Sequence, residues 1–457
     1  MNNKDYQRNL ILNENLWKVM WKMSLPAIIA MILYGLNTVF DAIFVGRFVG
    51  ETALAGVSLA YPLSQIVLGI GSLFGVGAGS ALSIAIGAKD KKTQERILGN
   101  VNYLSIISTV VYMIIGWFFA ESFIKMMGGK GEAILPAVEY FRITIIGTIF
   151  WIHGLALNMV VRAEGKMKSA AVMMGSGLLI NIIANYFLIV VFGFGVKGAA
   201  WGTNLGMFIY SLMGILYFSG KKATFEANPL KIYRDKKIIN SIFSMGIPSF
   251  IMSVMSVLQG VVVFNALSKY GTLFDIAFYG VAFRIYTFLL TPIFGLMRAL
   301  QPVTGINFGA GNNLRVIKSY KVFTVAGICF MIPFWIILML IPSSVLNIMM
   351  PGQIFDPYNI MNFRILMLVI PILPIIFICM TFFPSINKGK PVAIIGIARQ
   401  IVFYIPVMYF FPKFMGIRGI YFGSFLIDVI IVIWALLISL KEFKVLKNKN
   451  LKIQNEY

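Results

Sequence analysis

The sequence predicts an all-α integral membrane protein: twelve transmembrane helices in two pseudo-symmetric six-helix bundles, with both termini in the cytoplasm. Three observations carry that expectation. The chain is 59% hydrophobic and only 12% charged, with a mean hydropathy of +0.85, whereas a soluble domain carries about 25% charged residues. Its apolar residues gather into runs long enough to cross a bilayer. Its two halves repeat each other at nearly one offset.

A membrane-spanning helix needs about 20 mostly apolar residues, and twelve such runs are centred near Leu33, Gly69, Ser108, Thr148, Ile182, Phe208, Met252, Leu289, Met331, Val369, Ile401 and Ile430. The basic residues between them alternate in number. On one side fall Lys4, Arg8, Lys18 and Lys22, the 89–96 loop, Arg162, Lys166 and Lys168, the 221–237 stretch, Arg315, Lys318 and Lys321, Lys388 and Lys390, and the tail lysines from Lys441 to Lys452, 27 in all. The other side holds 7: Arg47, Lys125, Lys130, Lys197, Lys269, Lys413 and Arg418. Arg142, Arg284, Arg298, Arg364 and Arg399 lie within helices or at their ends. By the positive-inside rule the richer side is cytoplasmic, which agrees with an even helix count and places the protein, multi-pass, in the cell membrane.

The net charge of +22 is therefore a topology signal. The basic residues form short clusters between apolar runs and no domain that could hold nucleic acid. Cys329 and Cys379 sit inside apolar runs without partner spacing, so neither a disulfide framework nor a metal site is expected of them. The polar stretch 1–14 leads into an apolar run too long for a signal peptide, so the first helix is expected to remain. No loop is long enough to fold as a soluble domain, and no catalytic constellation stands out. An enzyme is not expected, and the function belongs to the helices.

The repeat is read from four matches. Pro26 corresponds to Pro248 and Gly87-Ala88 to Gly309-Ala310, both 222 residues apart; Gly165-Lys166 corresponds to Gly389-Lys390 at 224. Gly195-Val196-Lys197-Gly198 with Gly202 corresponds to Gly416-Ile417-Arg418-Gly419 with Gly423 at 221. Six helices per copy make the second copy enter from the same side as the first, a parallel repeat about an axis along the membrane normal. The expected domains are an N-lobe over 1–220, a cytoplasmic linker over 221–237 and a C-lobe over 238–457. Two such lobes around a midplane cavity form an alternating-access architecture.

Only 17 acidic residues exist, and two lie inside membrane helices. Asp41 falls in the outer part of the first helix and Asp428 near the middle of the last. A carboxylate at such depth costs about 2.5–3.5 kcal/mol on insertion scales unless it faces a cavity or a partner, which makes it a functional candidate. Tyr34, Asn37, Thr38 and Asp41 are spaced i, i+3, i+4, i+7 and share one helix face. This polar stripe, facing a substrate cavity, offers a carboxylate that could hold Na⁺ among neutral oxygens or take up a proton. Asn181 and Asn185 share a face of the fifth helix, with Asn158 and Thr203 as polar intrusions in the fourth and sixth. Asp428 is expected to be locked by Arg399 or Arg284. His153 is expected to be a packed residue, having no second titratable group near it in sequence. The 26 Met and 39 Phe could line an adaptable pocket or simply pack helices.

The segment from Pro26 through Asp41-Ala42-Ile43-Phe44-Val45-Gly46 to Ala55-Gly56-Val57-Ser58 resembles the opening of the multidrug and toxic compound extrusion (MATE) family. Arg162-Ala163-Glu164-Gly165-Lys166, the 301–310 stretch from Gln301-Pro302 to Gly309-Ala310 and the paired glycine motifs extend the resemblance through both halves. It implies a V-shaped pair of six-helix lobes that exports organic cations and amphipathic drugs by secondary active antiport against Na⁺ or H⁺, as a monomer in the lipid bilayer and without a cofactor. It places the coupling-cation site on Asp41, Asn181, Asn185, Thr203 and Asn158. Position 185 departs from the family pattern, since Asn replaces an acid and the site carries one formal charge fewer. No second site of the kind some members carry in helices seven and ten is expected, because 240–265 and 360–386 contain no Asp or Glu. The alternative is a lipid-linked saccharide flippase, for which Arg284, Arg298 and Arg399 would supply a cationic cavity.

Overall fold

The computed structural model describes residues 3–455, with side chains described for 6–449 apart from Thr38; the side chains of Lys4 and Lys452, used in the charge count, also lie outside the described residues. Among the described residues the chain forms helices and no strand. A short helix not expected from the sequence, α1 (Asn3–Asn13), precedes α2 (Leu16–Phe48), α3 (Glu51–Ala88) and α4 (Lys91–Met126). The first half continues with α5 (Ile134–Ile146), α6 (Thr148–Ala163), α7 (Met167–Asn185), a π-helical turn at Tyr186–Val191 and α8 (Gly195–Ser219). After a non-helical stretch, the second half runs through α9 (Lys236–Tyr270), α10 (Leu273–Gly309), α11 (Asn313–Leu340), the short α12 (Pro342–Met349), α13 (Pro357–Met367), α14 (Leu373–Ser385) and α15 (Lys390–Ile397). A π-helical stretch, Ala398–Tyr404, then leads to α16 (Ile405–Met415) and α17 (Arg418–Asn455).

Ten of these segments are long and apolar enough to cross a membrane unbroken. The other two expected spans are helical but interrupted, and each break has a chemical cause. The run near Thr148 bends by 55° between α5 and α6. There the Asn204 side-chain amide donates to the Ile143 carbonyl at 2.7 Å, occupying the acceptor that the Gly147 N–H would use in a continuous helix. Gly147 bonds to Thr144 instead. The run near Val369 breaks between α13 and α14, where Pro371 and Pro374 remove two helical donors and crowd the preceding turn.

Each half forms one six-helix bundle, and the bundles meet along α2, α3, α9 and α10. The contact of α3 with α10 is reciprocal. Gly87 abuts the Ile306 carbonyl and the Ala310 nitrogen, while Gly309 abuts the Ile84 carbonyl and the Ala88 nitrogen. Each of these contacts becomes the other on a shift of 222 residues. Glycine is required at both places because a Cβ would run into the opposing backbone. Helix α1 straps this end of the molecule. Arg8 donates to the Ile86 and Gly87 carbonyls at 3.1 and 3.0 Å. Arg315 of α11 donates to the Ile11 carbonyl at 2.9 Å and to that of Glu14.

Candidate functional site: a carboxylate cluster and a central cavity

Asp41 lies in the last three turns of α2, beside the end of α7. One of its oxygens accepts from the Asn185 amide at 2.7 Å and the other from the Asn37 amide at 3.2 Å. Asn185 is the last α-helical residue of α7 before the π turn. Its own carbonyl oxygen presses against Gly202 of α8, where no side chain would fit. The carboxamide oxygens of Asn37, Asn181 and Asn185 are all buried without a hydrogen-bond partner. A buried amide oxygen left unpaired costs about 1–3 kcal/mol. Two of these residues, Asn37 and Asn185, also bond Asp41, and a carboxylate among neutral amides suits a hard cation or a proton. Asn181, one turn before Asn185, makes no hydrogen bond to Asp41.

The expected members of this group do not all join it. Thr203 bonds back to the Ala199 carbonyl in its own helix at 3.1 Å, with the Tyr140 phenol of α5 beside it and within electrostatic reach of Asp41. Sequence reasoning missed Tyr140, whose aromatic neighbours hide it among packing residues. Asn158 donates to the Ala170 carbonyl at 2.7 Å and ties α6 to α7; its oxygen is buried and unpartnered. Of the polar stripe, Tyr34 lines the central cavity while Asn37 belongs to the Asp41 cluster. Thr38 lies outside the described side chains. Among the described residues no three His, Cys, Asp or Glu side chains converge on a metal position.

The cavity lies between the bundles and has a volume of about 510 Å³, within the range of pockets that hold drug-sized molecules. Both halves line it. Eight methionines contribute, Met31, Met159, Met252 and Met297 among them, together with Tyr34, Tyr61, Trp151, Phe283, Phe294 and Phe377. At least this share of the methionines thus forms an adaptable wall. The charged lining residues are Arg162, Arg298 and Arg399, with no Asp or Glu.

Asp428 receives Arg399 through Nη2 at 2.6 Å and Nε at 3.1 Å, with the Tyr286 hydroxyl donating to its second oxygen at 3.2 Å. Arg284, the other expected partner, is exposed and takes no part in this pair. Arg399 sits in the π-helical stretch, whose widened turn swings the residue off the register an α-helix would give it. Arg162 corrects the charge count: assigned there to a loop, it is 2% exposed and faces the cavity. Two residues on, Glu164 is buried and accepts from the Tyr217 hydroxyl at 2.5 Å and from the Thr224 N–H and hydroxyl at 2.6 and 2.7 Å. It anchors the stretch that joins the bundles. His153 is fully paired, to Ser211 at 2.8 Å and to Asn102 at 3.0 Å. Asn102 in turn donates to the Pro229 and Lys231 carbonyls at 2.8 and 2.9 Å.

Two pseudo-symmetric helical bundles around one chamber define a polytopic membrane transporter and not an enzyme. The chain belongs to the MatE family, whose profile matches it twice, over residues 26–187 and again over 248–410. The second match begins at the repeat offset from the first. The chain is 28% identical to the multidrug export protein MepA of Staphylococcus haemolyticus (strain JCSC1435), over 95% of this chain and 93% of that one. It is 30% identical to MepA of Staphylococcus aureus (strain NCTC 8325 / PS 47), over 69% of this chain and 70% of that one. The solved structure of MATE in the bent conformation superposes with a TM-score of 0.90 at 25% identity, covering 96% of this chain and 98% of that one.

Proposed function

We propose that this chain exports amphipathic drugs from the cell by secondary active antiport, with Asp41 as the carboxylate that binds and releases the coupling ion, Na⁺ or H⁺. The observation that carries the reading is the Asp41 cluster: a single carboxylate held by Asn185 and Asn37 beside buried carboxamide oxygens that nothing else satisfies. Asn37, Asn181 and Asn185 would hold Na⁺ with Asp41, and Thr203 and Asn158 complete the surroundings through α8 and α6. The ion supplies positive charge that neutralises Asp41 in one state of the cycle; the protein's part is to offer that charge a site in one arrangement of the bundles and withdraw it in the other. Export by the MepA relatives supports the direction. The Met-rich and aromatic lining suits varied apolar bodies, and organic cations find there the faces of Tyr34, Tyr61 and Trp151 instead of a carboxylate.

In this reading residues 1–220 and 238–457 are the moving lobes, 221–237 is a cytoplasmic linker, both termini are cytoplasmic, and a monomer in the cell membrane suffices. The flippase alternative called for Arg284, Arg298 and Arg399 in the cavity. Arg298 is there and Arg162 joins it, but Arg399 is neutralised by Asp428, Arg284 does not line it, and a flippase leaves the Asp41 cluster unused. Drug export accounts for more of the site.

The test is transport of a fluorescent organic cation and of a neutral amphipathic dye into proteoliposomes, under Na⁺ and H⁺ gradients imposed separately. One gradient should drive uptake, and Asp41→Asn should abolish it. Gradient-driven transport by that variant at the wild-type rate overturns the assignment.

A further inference from the structure

Arg162 on α6 and Arg298 on α10 come from opposite bundles and line the same cavity. Arg162 is 2% exposed. An Nη1 of each is buried without a hydrogen-bond partner, and neither guanidinium makes an ion pair or side-chain hydrogen bond with a described residue. The hydroxyl of Tyr210, also on the cavity wall, is buried and unpartnered, and Tyr34 lines the same wall. Arginine does not shed its proton in proteins. An unpaired buried charge costs several kcal/mol, and a second unpaired cation on the same cavity wall adds to that.

A structural role does not explain this arrangement. Arg399, the third arginine of the cavity, shows what a structural one looks like here: it is clamped on Asp428. Arg162 and Arg298 present planar forks of donors, the geometry that matches a carboxylate or phosphate. The Tyr210 phenol shares the cavity wall with them, as do methionines and aromatic rings.

We infer that Arg162 and Arg298, with Tyr210, form an anion subsite in the cavity, and that the transporter takes amphipathic molecules bearing a phosphate or carboxylate group. The inference deepens the export reading by naming a substrate class. An anion bridging the guanidiniums touches both bundles at once, so its binding favours the state in which they are apposed.

The test uses the full-length protein in phosphatidylcholine nanodiscs, with quenching of tryptophan fluorescence, Trp151 being on the cavity wall. The probes are octyl phosphate, octyltrimethylammonium and octyl glucoside. Octyl phosphate should bind most tightly, and Arg298→Gln and Arg162→Gln should each weaken it about tenfold or more while leaving octyl glucoside unchanged. Arg298→Lys keeps the charge and should keep most of the preference; this pair at position 298 decides the matter if Arg162→Gln does not fold. Nanodiscs containing phosphatidylglycerol separate the two sources of the group. Competition by that lipid assigns the subsite to a bilayer headgroup, and binding of octyl phosphate undiminished by it assigns the subsite to a free solute. Equal binding of octyl phosphate and octyl glucoside, or equal octyl phosphate binding by wild type and Arg298→Gln, overturns the inference. Such a result with coupled transport intact leaves the export reading standing, and loss of coupled transport with the phosphate preference intact does the reverse.

Discussion

Replacing Asp428 with Asn should destabilise the second bundle, by an amount that follows from the geometry of its pair. The carboxylate receives Arg399 at 2.6 and 3.1 Å and Tyr286 at 3.2 Å. Removing one member of a buried ion pair costs about 3–5 kcal/mol, because the other charge stays behind without compensation. The Arg399 side chain keeps 17% of its surface toward the cavity, which puts the cost near the lower end, about 3 kcal/mol. At about 2–4 °C per kcal/mol for a unit the size of one bundle, the midpoint of thermal denaturation should fall by roughly 6–12 °C. Fluorescence-detected size exclusion after heating measures it. Combining Asp428→Leu, Arg399→Met and Tyr286→Phe replaces the whole group with apolar side chains, and buried pairs replaced in this way are often neutral or better. The triple variant should regain most of the lost stability. Should it melt as low as Asp428→Asn, or should Asp428→Asn melt with the wild type, the locking role is wrong and Asp428 is free to act in transport.

Gly309→Val places two methyl groups against the backbone of α3 at Ile84 and Ala88. Overpacking of this kind costs about 1–3 kcal/mol, so the apposed state loses population by about fivefold or more. Faster thiol labelling of Ser83→Cys, buried in the same seam, in a Cys329→Ser background reports it. Arg8→Ala frees the Ile86 and Gly87 carbonyls and should raise amide hydrogen exchange over residues 6–13 while leaving α7 unchanged. Glu164→Ala leaves the Thr224 N–H and hydroxyl without an acceptor and the Tyr217 hydroxyl with only the Lys222 carbonyl at 3.3 Å, at a cost of about 2–4 kcal/mol in the same thermal assay. Glu164→Gln, whose amide oxygen can still accept from Thr224, should lose less.

The long spans were legible because a bilayer demands about twenty apolar residues in a row and the sequence marks each run with its flanking charges. The breaks were not. Pro371 and Pro374 stood in view, but α5 and α6 part because Asn204, some sixty residues away, takes the Ile143 carbonyl, and no local pattern carries that. The i, i+3, i+7 spacing found the face that Asp41 shares with Asn37, and the hydrogen bond between them lies along it. Asn185 reached Asp41 through the family resemblance. Arg162 was misplaced for a physical reason: a basic residue at the end of a helix looks the same in sequence whether it turns outward to the loop or inward to the chamber. Asp428 pointed to two arginines of its own half, Arg399 and Arg284, and the fold brings only Arg399 to it, from the π-helical stretch.

The reciprocal meeting of Gly87 with α10 and of Gly309 with α3 has the form of a two-fold homodimer interface, in which one patch is its own complement. A half-length chain with such a surface could assemble with itself, and joining two copies makes that surface internal. Once both copies lay on one chain, each position could change alone. Shifted by 222 residues, Asp41 falls on Val263, and Asp428 shifted back by 221 falls on Met207. The seam has kept the ancestral symmetry while the charges have parted company. With Asp41 in the proposed role, the ionic driving force would enter through one bundle, and a joint built as if between equals would transmit it to the other.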